Sequence, residues 1–292
     1  MPNKIVFYDL SIGSDHNPRK IWSPNTWYAS SKMRVTVLRR CSSSYRKIRY
    51  ALNIKKLEFA TVWLEFHEIE PMITQLGGKP TTTKPDGYFY RILLAGDPLL
   101  THGPPGRTPW YTLPVIYDPA TKQIISNSRD IAEYLDKQYP TTQKLVFDPT
   151  FETEWEGVIS TNVINKVPPS TFMVLHNRVS VAAAQHIRRV RETQFGKTLE
   201  DVSTEEAVRQ QWKEFENGYA NLSKFYKRAG TTFLSKGDVP MWADLVVGSW
   251  LISQNFIYGE DSKQWKGILE WDGGLWKKMN DALQVYEGEG LE

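Results

Sequence analysis

The chain has 292 residues, 40% of them hydrophobic and 13% aromatic, with a formal net charge of +3. That length accommodates one large domain or two ordinary ones around a sizeable core. No apolar run reaches the ~18–20 residues of a membrane span, and the N-terminus lacks a charged-then-apolar signal pattern. The single Cys41 excludes an internal disulfide framework, so a reducing, cytoplasmic setting is expected. The positive charge is local. Tyr28–Arg46 holds Lys32, Arg34, Arg39, Arg40 and Arg46 and no acid, and Tyr88–Arg107 holds Arg91 and Arg107 against Asp97. Without these two segments the chain carries −3, so no nucleic-acid partner is inferred.

In chain order, "KIVFYDL" (Lys4–Leu10) is a short apolar run of aromatic and β-branched residues, the pattern of a buried strand. A Gly/Asp/Asn/Pro loop runs to Ser23. "KIRYALNIKKL" (Lys47–Leu57) places Ile48, Ala51, Leu52 and Leu57 on one helical face. "EFATVWLEF" (Glu58–Phe66) is a second strand, and "EIEPMITQLGG" is a short helix or turn region ended by Gly77 and Gly78. "YTLPVIYDPATKQIISNSRDIAEYLDKQYP" gives strand, turn, strand, and a helix starting near Asn127. The order β-α-β-α-β-β-α is an α/β unit. From about Phe151 the strand signals fade. Helical spacing covers Phe151–Leu175, Arg178–Phe195, Thr204–Ala229, Met241–Phe256 and Ser262–Leu283. Residues 1–140 are thus expected to form an α/β domain and 150–292 an all-helical one, joined through the polar "DKQYPTTQKLVFDPT".

Several chemistries lack their motif. There is no P-loop and no G-x-G-x-x-G after a strand. Five scattered histidines and one cysteine offer no metal-ligand spacing, so no metal is expected. Three features remain. Ser23 before Pro24 is an N-cap followed by proline at the first helical position. Its simplest role is capping; its functional role would be a hydroxyl and a positive helix end aimed at an anion. Pro114 lies in a strand-like run, where proline marks an edge or a turn and can be cis. Ser126, Asn127 and Ser128 precede a helix whose first N–H groups need partners.

In this order, these pieces resemble the glutathione transferase superfamily: a thioredoxin-like N-terminal domain followed by an all-α C-terminal domain. "TLPVI" resembles the strand with the cis-proline loop, and "SNSRDIAEYLD" the segment that holds the γ-glutamyl end of glutathione. "IVFYDL…WSPNTW", "KIRYALNIKKLEFATVWLEFHEIEP" and "YTLPVIYDPAT" resemble the fungal FuA class, relatives of bacterial β-etherases. "PMWADL" (Pro240–Leu245) resembles the start of the core helix with its buried Asp244, with Met241 where Ser or Thr is common.

The resemblance implies a role for each residue. Ser23 would donate to the glutathione sulfur, with Asn25 a further polar contact. Pro114 would be the cis-proline and Val115 would pair its backbone with the cysteinyl unit. Asn127 and Ser128 would bind the γ-glutamyl carboxylate and amine. Lowering a thiol by two units from its usual ~8.5 requires roughly 2.7 kcal/mol. One hydrogen bond to a charged group contributes about 1.5–3 kcal/mol, and a helix N-terminus about 0.3–2 kcal/mol. Together these generate thiolate near neutral pH. The implied activity is glutathione transfer to hydrophobic aromatic electrophiles, or glutathione-dependent aryl-ether cleavage, by a cytosolic homodimer. A non-catalytic carrier of aromatic ligands on the same fold is the alternative, and an inactive misspliced product a third reading.

Two segments break the resemblance. Deleting Tyr28–Arg46 gives "SPNTWKIRYALN", and deleting Tyr88–Arg107 gives "PDGTPWYTLPVIYD"; both joins match the family pattern. The codons permit GT donors and AG acceptors at both, so the two segments read as translated, unspliced introns; the other origin is a lineage-specific surface insertion. On this reading the first leaves only Pro24–Trp27 attached to Ser23, too short for a stable helix, while the second can loop out at little entropic cost.

Overall fold

A computed structural model describes residues 4–10, 43–64, 68–83, 109–179 and 181–288. Its N-terminal half is built on a four-stranded mixed sheet with strand order β2-β1-β5-β6. All six residues of strand β1 (Ile5–Leu10) are buried, which explains a run that is apolar on both faces. β1 pairs in parallel with β2 (Phe59–Leu64), from Ile5↔Phe59 to Leu10↔Leu64. A parallel pair needs a crossover, and helix α1 (Ser43–Ile54) lies in it. The other side of β1 pairs antiparallel with β5 (Val115–Asp118), which pairs with β6 (Gln123–Ser126). Between them come helix α2 (Ile69–Gln75) and the two-residue strands β3 (Thr82–Thr83) and β4 (Pro109–Trp110).

Helix α1 departs from its sequence pattern at both ends. Within the described residues it is already helical four residues before Lys47, so its first described turn is Ser43–Arg46, drawn from the extra segment itself. It ends at Ile54, leaving Leu57 outside. Lys56 adopts a left-handed φ of 55°, and Lys56 N–H and Leu57 N–H bond Asn53 O and Leu52 O. This reversal satisfies the last carbonyls and stops the helix where periodicity alone would continue it. Ile48, Ala51 and Leu52 are fully buried, as their spacing requires.

The β3–β4 ribbon, unexpected from sequence, pairs Thr82 with Trp110 and Thr83 with Pro109. It joins the flanks of residues 84–108. After β6, helix α3 (Ser128–Gln138) completes this half.

The second half is helical: α4 (Pro149–Asn162), α5 (Thr171–His176), α6 (Val181–Phe195), α7 (Glu205–Ala229), α8 (Trp242–Tyr258) and α9 (Lys263–Leu283). The expected helix Phe151–Leu175 is split, because Pro168 and Pro169 separate α4 from α5. Asp148 caps α4 through Thr150 N and Phe151 N, with Pro149 in its first turn. Helix α9 is kinked where Asp272, Gly273 and Gly274 take positive φ. Close crossing of α4 and α7 requires Gly218, since a Cβ there would lie 1.8 Å from Asn162 O.

The connection between the halves is anchored. Lys55, at the end of α1, is 2% exposed and donates to Asp136 Oδ1 (2.8 Å) and Gln143 O (3.0 Å). Asp136 in turn accepts from Leu145 N and Val146 N, and Trp242 N donates to Leu145 O. Hydrogen bonds therefore run from α1 through α3 and the connecting segment into α8. The architecture is a thioredoxin-like α/β half followed by an all-α half.

Candidate functional site

The sheet register fixes where the sequence-derived residues meet. Val115 pairs with Tyr8 on one side and Ser126 on the other. The C-terminal end of β1, the N-terminal end of β5 and the C-terminal end of β6 therefore share one sheet edge. Helix α3 starts at that edge, directly after Ser126. A crossover helix runs back against its parallel strands, so α1 also begins there. Two helix N-termini, each a concentration of unpaired N–H groups, converge on one place.

At this edge the Leu113–Pro114 peptide is cis. Leu113 is buried, and among the described residues its backbone has no hydrogen-bond partner. Val115 lies within the ladder, with strands on both sides. The backbone left available beside Pro114 is therefore that of Leu113, a residue sequence reasoning missed. The proline directly after it was the signal.

Across the ladder stand Asn127 and Ser128. Asn127 adopts φ 75° and ψ 127°, outside the regions an ordinary side chain prefers. Its Oδ1 accepts from Arg129 N at 3.0 Å and caps α3. Capping, the simplest reading of this motif, is thus realised. The cap uses only the carbonyl oxygen. Among the described residues, the Asn127 amide and the half-buried Ser128 hydroxyl make no side-chain hydrogen bond and are open to a ligand. A carboxamide N–H₂ donates, which suits a carboxylate. Ser23 and Asn25 lie outside the described residues.

Beneath the edge is a buried ion pair. Asp9 Oδ2 accepts from Arg49 Nη2 at 3.1 Å, and Asp9 Oδ1 from Leu10 N at 2.8 Å. The guanidinium also donates to Thr61 and lies within 5.5–5.7 Å of the Phe7, Phe59 and Trp63 ring centroids. Burial pushes the Asp9 carboxyl up to about 6, with Arg49 opposing the shift. This pair ties the end of β1 to the middle of α1.

A second polar cluster joins the halves. Lys47 of α1 lies over the Trp242 ring at 5.8 Å, and burial lowers its ammonium to about 8. Glu152 of α4 is 0% exposed, and neither carboxylate oxygen has a well-aligned hydrogen-bond partner, although the Ala243 N–H lies near enough to favour its charged form. Burial pushes its carboxyl up to about 8, with Arg129 offsetting only part. Asp244, raised by burial to about 6, accepts from Leu234 N and Met241 N. This is the acidic half of the cap expected at "PMWADL". Met241 contributes no side-chain oxygen to the other half.

Many aromatic residues of the helical half line one another. Phe215, Tyr219 and Trp276 are 0% exposed, and their rings contact those of Trp271, Tyr226 and Trp212. A cleft of about 720 Å³ lies between the end of α7, the following loop and the kinked α9. Its lining includes Lys227, Lys236, Asp238, Asp272 and Lys278 and is not predominantly apolar. Among the described residues, no three His, Cys, Asp or Glu side chains group as metal ligands. No helix among them is long and apolar enough to cross a membrane.

Residues 41–138 match the family model "Glutathione S-transferase, N-terminal domain", and 150–286 match "Glutathione S-transferase, C-terminal domain". The first match begins at Cys41, so Ser23 lies outside it. No curated protein matches the sequence. Among solved structures, the chain is similar to the glutathione S-transferase CsGST63524 of Ceriporiopsis subvermispora in complex with glutathione. That similarity has a TM-score of 0.76 at 26% identity, over 98% of each chain. It is also similar to glutathione transferase GSTFuA2 from Phanerochaete chrysosporium (TM-score 0.75, 28% identity, covering 98% of this chain and 99% of that one). CsGST83044 of Ceriporiopsis subvermispora, also in complex with glutathione, gives 0.75 at 25% identity over 97% and 99%. With both domain models matched in order and full-length structural likeness, the chain belongs to the glutathione transferase superfamily.

Proposed function

We propose that this chain binds glutathione at the sheet edge where α1, Leu113–Pro114 and Asn127–Ser128 meet, and directs its thiolate at hydrophobic aromatic electrophiles. Cleavage of aryl ethers is one form of that reaction, and membership of the fungal FuA class fits it. The observation that carries the reading is the convergence of two helix N-termini and a cis-proline loop on one edge. Glutathione is an elongated peptide with carboxylates at both ends and a central thiol. Asn127 and Ser128 would hold its γ-glutamyl end. The Leu113 backbone beside Pro114 would hold its cysteinyl unit, in the place the resemblance gave to Val115, and a serine at the start of α1 would donate to the sulfur. The thiolate then attacks an electrophilic carbon and displaces the leaving group. The proposed division is a glutathione-binding domain over 1–140 and a helical domain over 150–292, in a cytoplasmic homodimer.

The serine depends on the form of the chain. With Tyr28–Arg46 removed, Ser23 and Asn25 stand five and three residues before Lys47. In the chain as written, the same registers hold Ser42 and Ser44, and the family match begins at Cys41. On this proposal Ser23 is the donor of the shorter form, and the segment Tyr28–Arg46 of the longer one derives from an unspliced intron. Calorimetry with glutathione, on the full chain and on the form lacking both 28–46 and 88–107, tests this reading. Glutathione binding accompanied by conjugation of a chloro-nitroaromatic supports it. Tight binding of aromatic dyes without conjugation supports the carrier instead. Absence of glutathione binding by both forms overturns the proposal. Genomic and transcript sequence tests the intron origin: absence of GT and AG at the segment boundaries refutes it.

A further inference from the structure

The C-terminal tail returns from α9 to the outer face of α1. Arg46, Tyr50 and Asn53 form one stripe along that helix, spaced four and three residues apart. Arg46 Nη1 and Tyr50 Oη both donate to Glu287 Oε1, each at 3.0 Å. Asn53 Nδ2 donates to Tyr286 O and Gly288 O, each at 2.8 Å. The tail enters this contact from the short helical turn Gln284–Tyr286, directly after the buried Leu283. The last residues of the helical half thus hold the first helix of the other half. They do so along the turn that opens onto the sheet edge.

The contact has the chemistry of a fastener. One carboxylate oxygen joins a charged donor and a neutral one, and both lie one to two turns from the start of α1. The Arg46 and Glu287 side chains are 12% and 25% exposed, so water weakens the pair only in part. Burial, then the Glu287 charge, drives the Tyr50 phenol well above its ordinary range, which keeps it a donor. A helix's first turn lacks four intrahelical acceptor bonds and frays readily. An outside carboxylate at its fourth and eighth residues opposes that fraying.

We infer that Glu287 is a positioning residue: through Arg46 and Tyr50 it fixes the first turn of α1 at the sheet edge and thereby sets the affinity for glutathione. The second half of this statement rests on the function proposed above. Arg46 belongs to the extra segment, so its share of this fastening is particular to the chain as written; in the shorter form Trp27 takes its register while Tyr50 and Asn53 remain. Without Glu287 the first turn opens more often, and glutathione binds to the fraction in which it is closed.

The test uses the full chain, Glu287→Gln, Arg46→Gln and the double variant. Amide exchange over 43–54 in Glu287→Gln should rise roughly three- to tenfold in the first turn, while β1 and α8 stay unchanged. The glutathione KM should rise by a similar factor with kcat at saturation within about twofold. Arg46→Gln should give the same changes, and the double variant should add little to either. Glu287→Asp should restore part of the protection. Unchanged exchange over 43–49 in both single variants overturns the inference, as does faster exchange with unaltered glutathione KM. If the unaltered chain binds no glutathione, the functional reading fails instead, and exchange alone decides whether the tail fixes α1.

Discussion

The two ends of α1 are held in different ways. From Ile48 onward the helix is anchored by the core, by the Asp9–Arg49 pair and by Lys55 against Asp136 and Gln143. Its first turn, Ser43–Arg46, is held by Glu287 of the tail through bonds that water can reach. The buried end explains why the fold tolerates an extra segment directly before it: the contacts that determine the sheet and the crossover lie downstream. The first turn is where activity is proposed to reside, and it is drawn from Tyr28–Arg46, the segment proposed to be an insertion. Fold and function are therefore separable along a single helix.

The sharpest way to break this comparison is at the anchored end. Arg49→Met leaves Asp9 buried without its partner and should cost about 3–5 kcal/mol of stability, measured by urea unfolding. The double change Asp9→Leu with Arg49→Met should recover part of that loss. A loss below about 1 kcal/mol for Arg49→Met alone would show that the two ends do not differ in anchoring.

The next effect concerns the first turn. Removing Tyr28–Arg46 joins Ser23–Trp27 to Lys47. It should raise kcat/KM for glutathione conjugation at least tenfold, about 1.4 kcal/mol in the transition state. Ser23→Ala should abolish the gain in that form, whereas in the chain as written Ser42→Ala should reduce any residual turnover more than Ser23→Ala does. Equal turnover by the two forms would refute the separation.

A smaller effect belongs to Glu152, whose neighbours at the start of α8 include Ala243 and Asp244. Its folded-state value of about 8 lies above the ordinary carboxylate range. The folded chain keeps a proton that the unfolded chain releases between roughly pH 4.5 and 8, so this group's contribution to stability falls as pH rises through that window. Glu152→Gln cannot ionise. It should be more stable than the parent by about 1 kcal/mol at pH 8 and indistinguishable at pH 4.5. A gain that is the same at both pH values would mean that ionisation of Glu152 is not its cause.

The smallest effect is expected at the second extra segment. Deleting Tyr88–Arg107 should change stability by less than about 1 kcal/mol, because the closure cost of a loop varies slowly with its length. Glutathione turnover should stay within about twofold.

Much of the fold was legible because burial writes itself into spacing. β1 is apolar at every position but Asp9 because both of its faces are covered, and Ile48, Ala51 and Leu52 recur at helical intervals because one face of α1 meets the core. What was not legible depended on backbone geometry or distant partners. The end of α1 is determined by Lys56 in a left-handed conformation, which no apolar pattern marks. The break before α5 comes from two prolines inside an otherwise helical rhythm. At the candidate site, Pro114 and the Asn127–Ser128 cap were visible as motifs. Leu113 was not, since its importance comes from the cis bond after it and the ladder that begins at Val115. Asp9 and Arg49, forty residues apart, show only a polar residue inside an apolar strand.

The short β3–β4 ribbon has a practical consequence. It clips together the two points between which residues 84–108 run, as a frame holds both posts of a gate. Whatever is hung between Thr83 and Pro109 leaves from and returns to that frame. An affinity tag, a fluorophore-bearing peptide or a small reporter domain placed there in exchange for residues 88–107 would start and end on paired strands. It would give an internal handle for following the protein without touching either terminus, one of which this fold already uses.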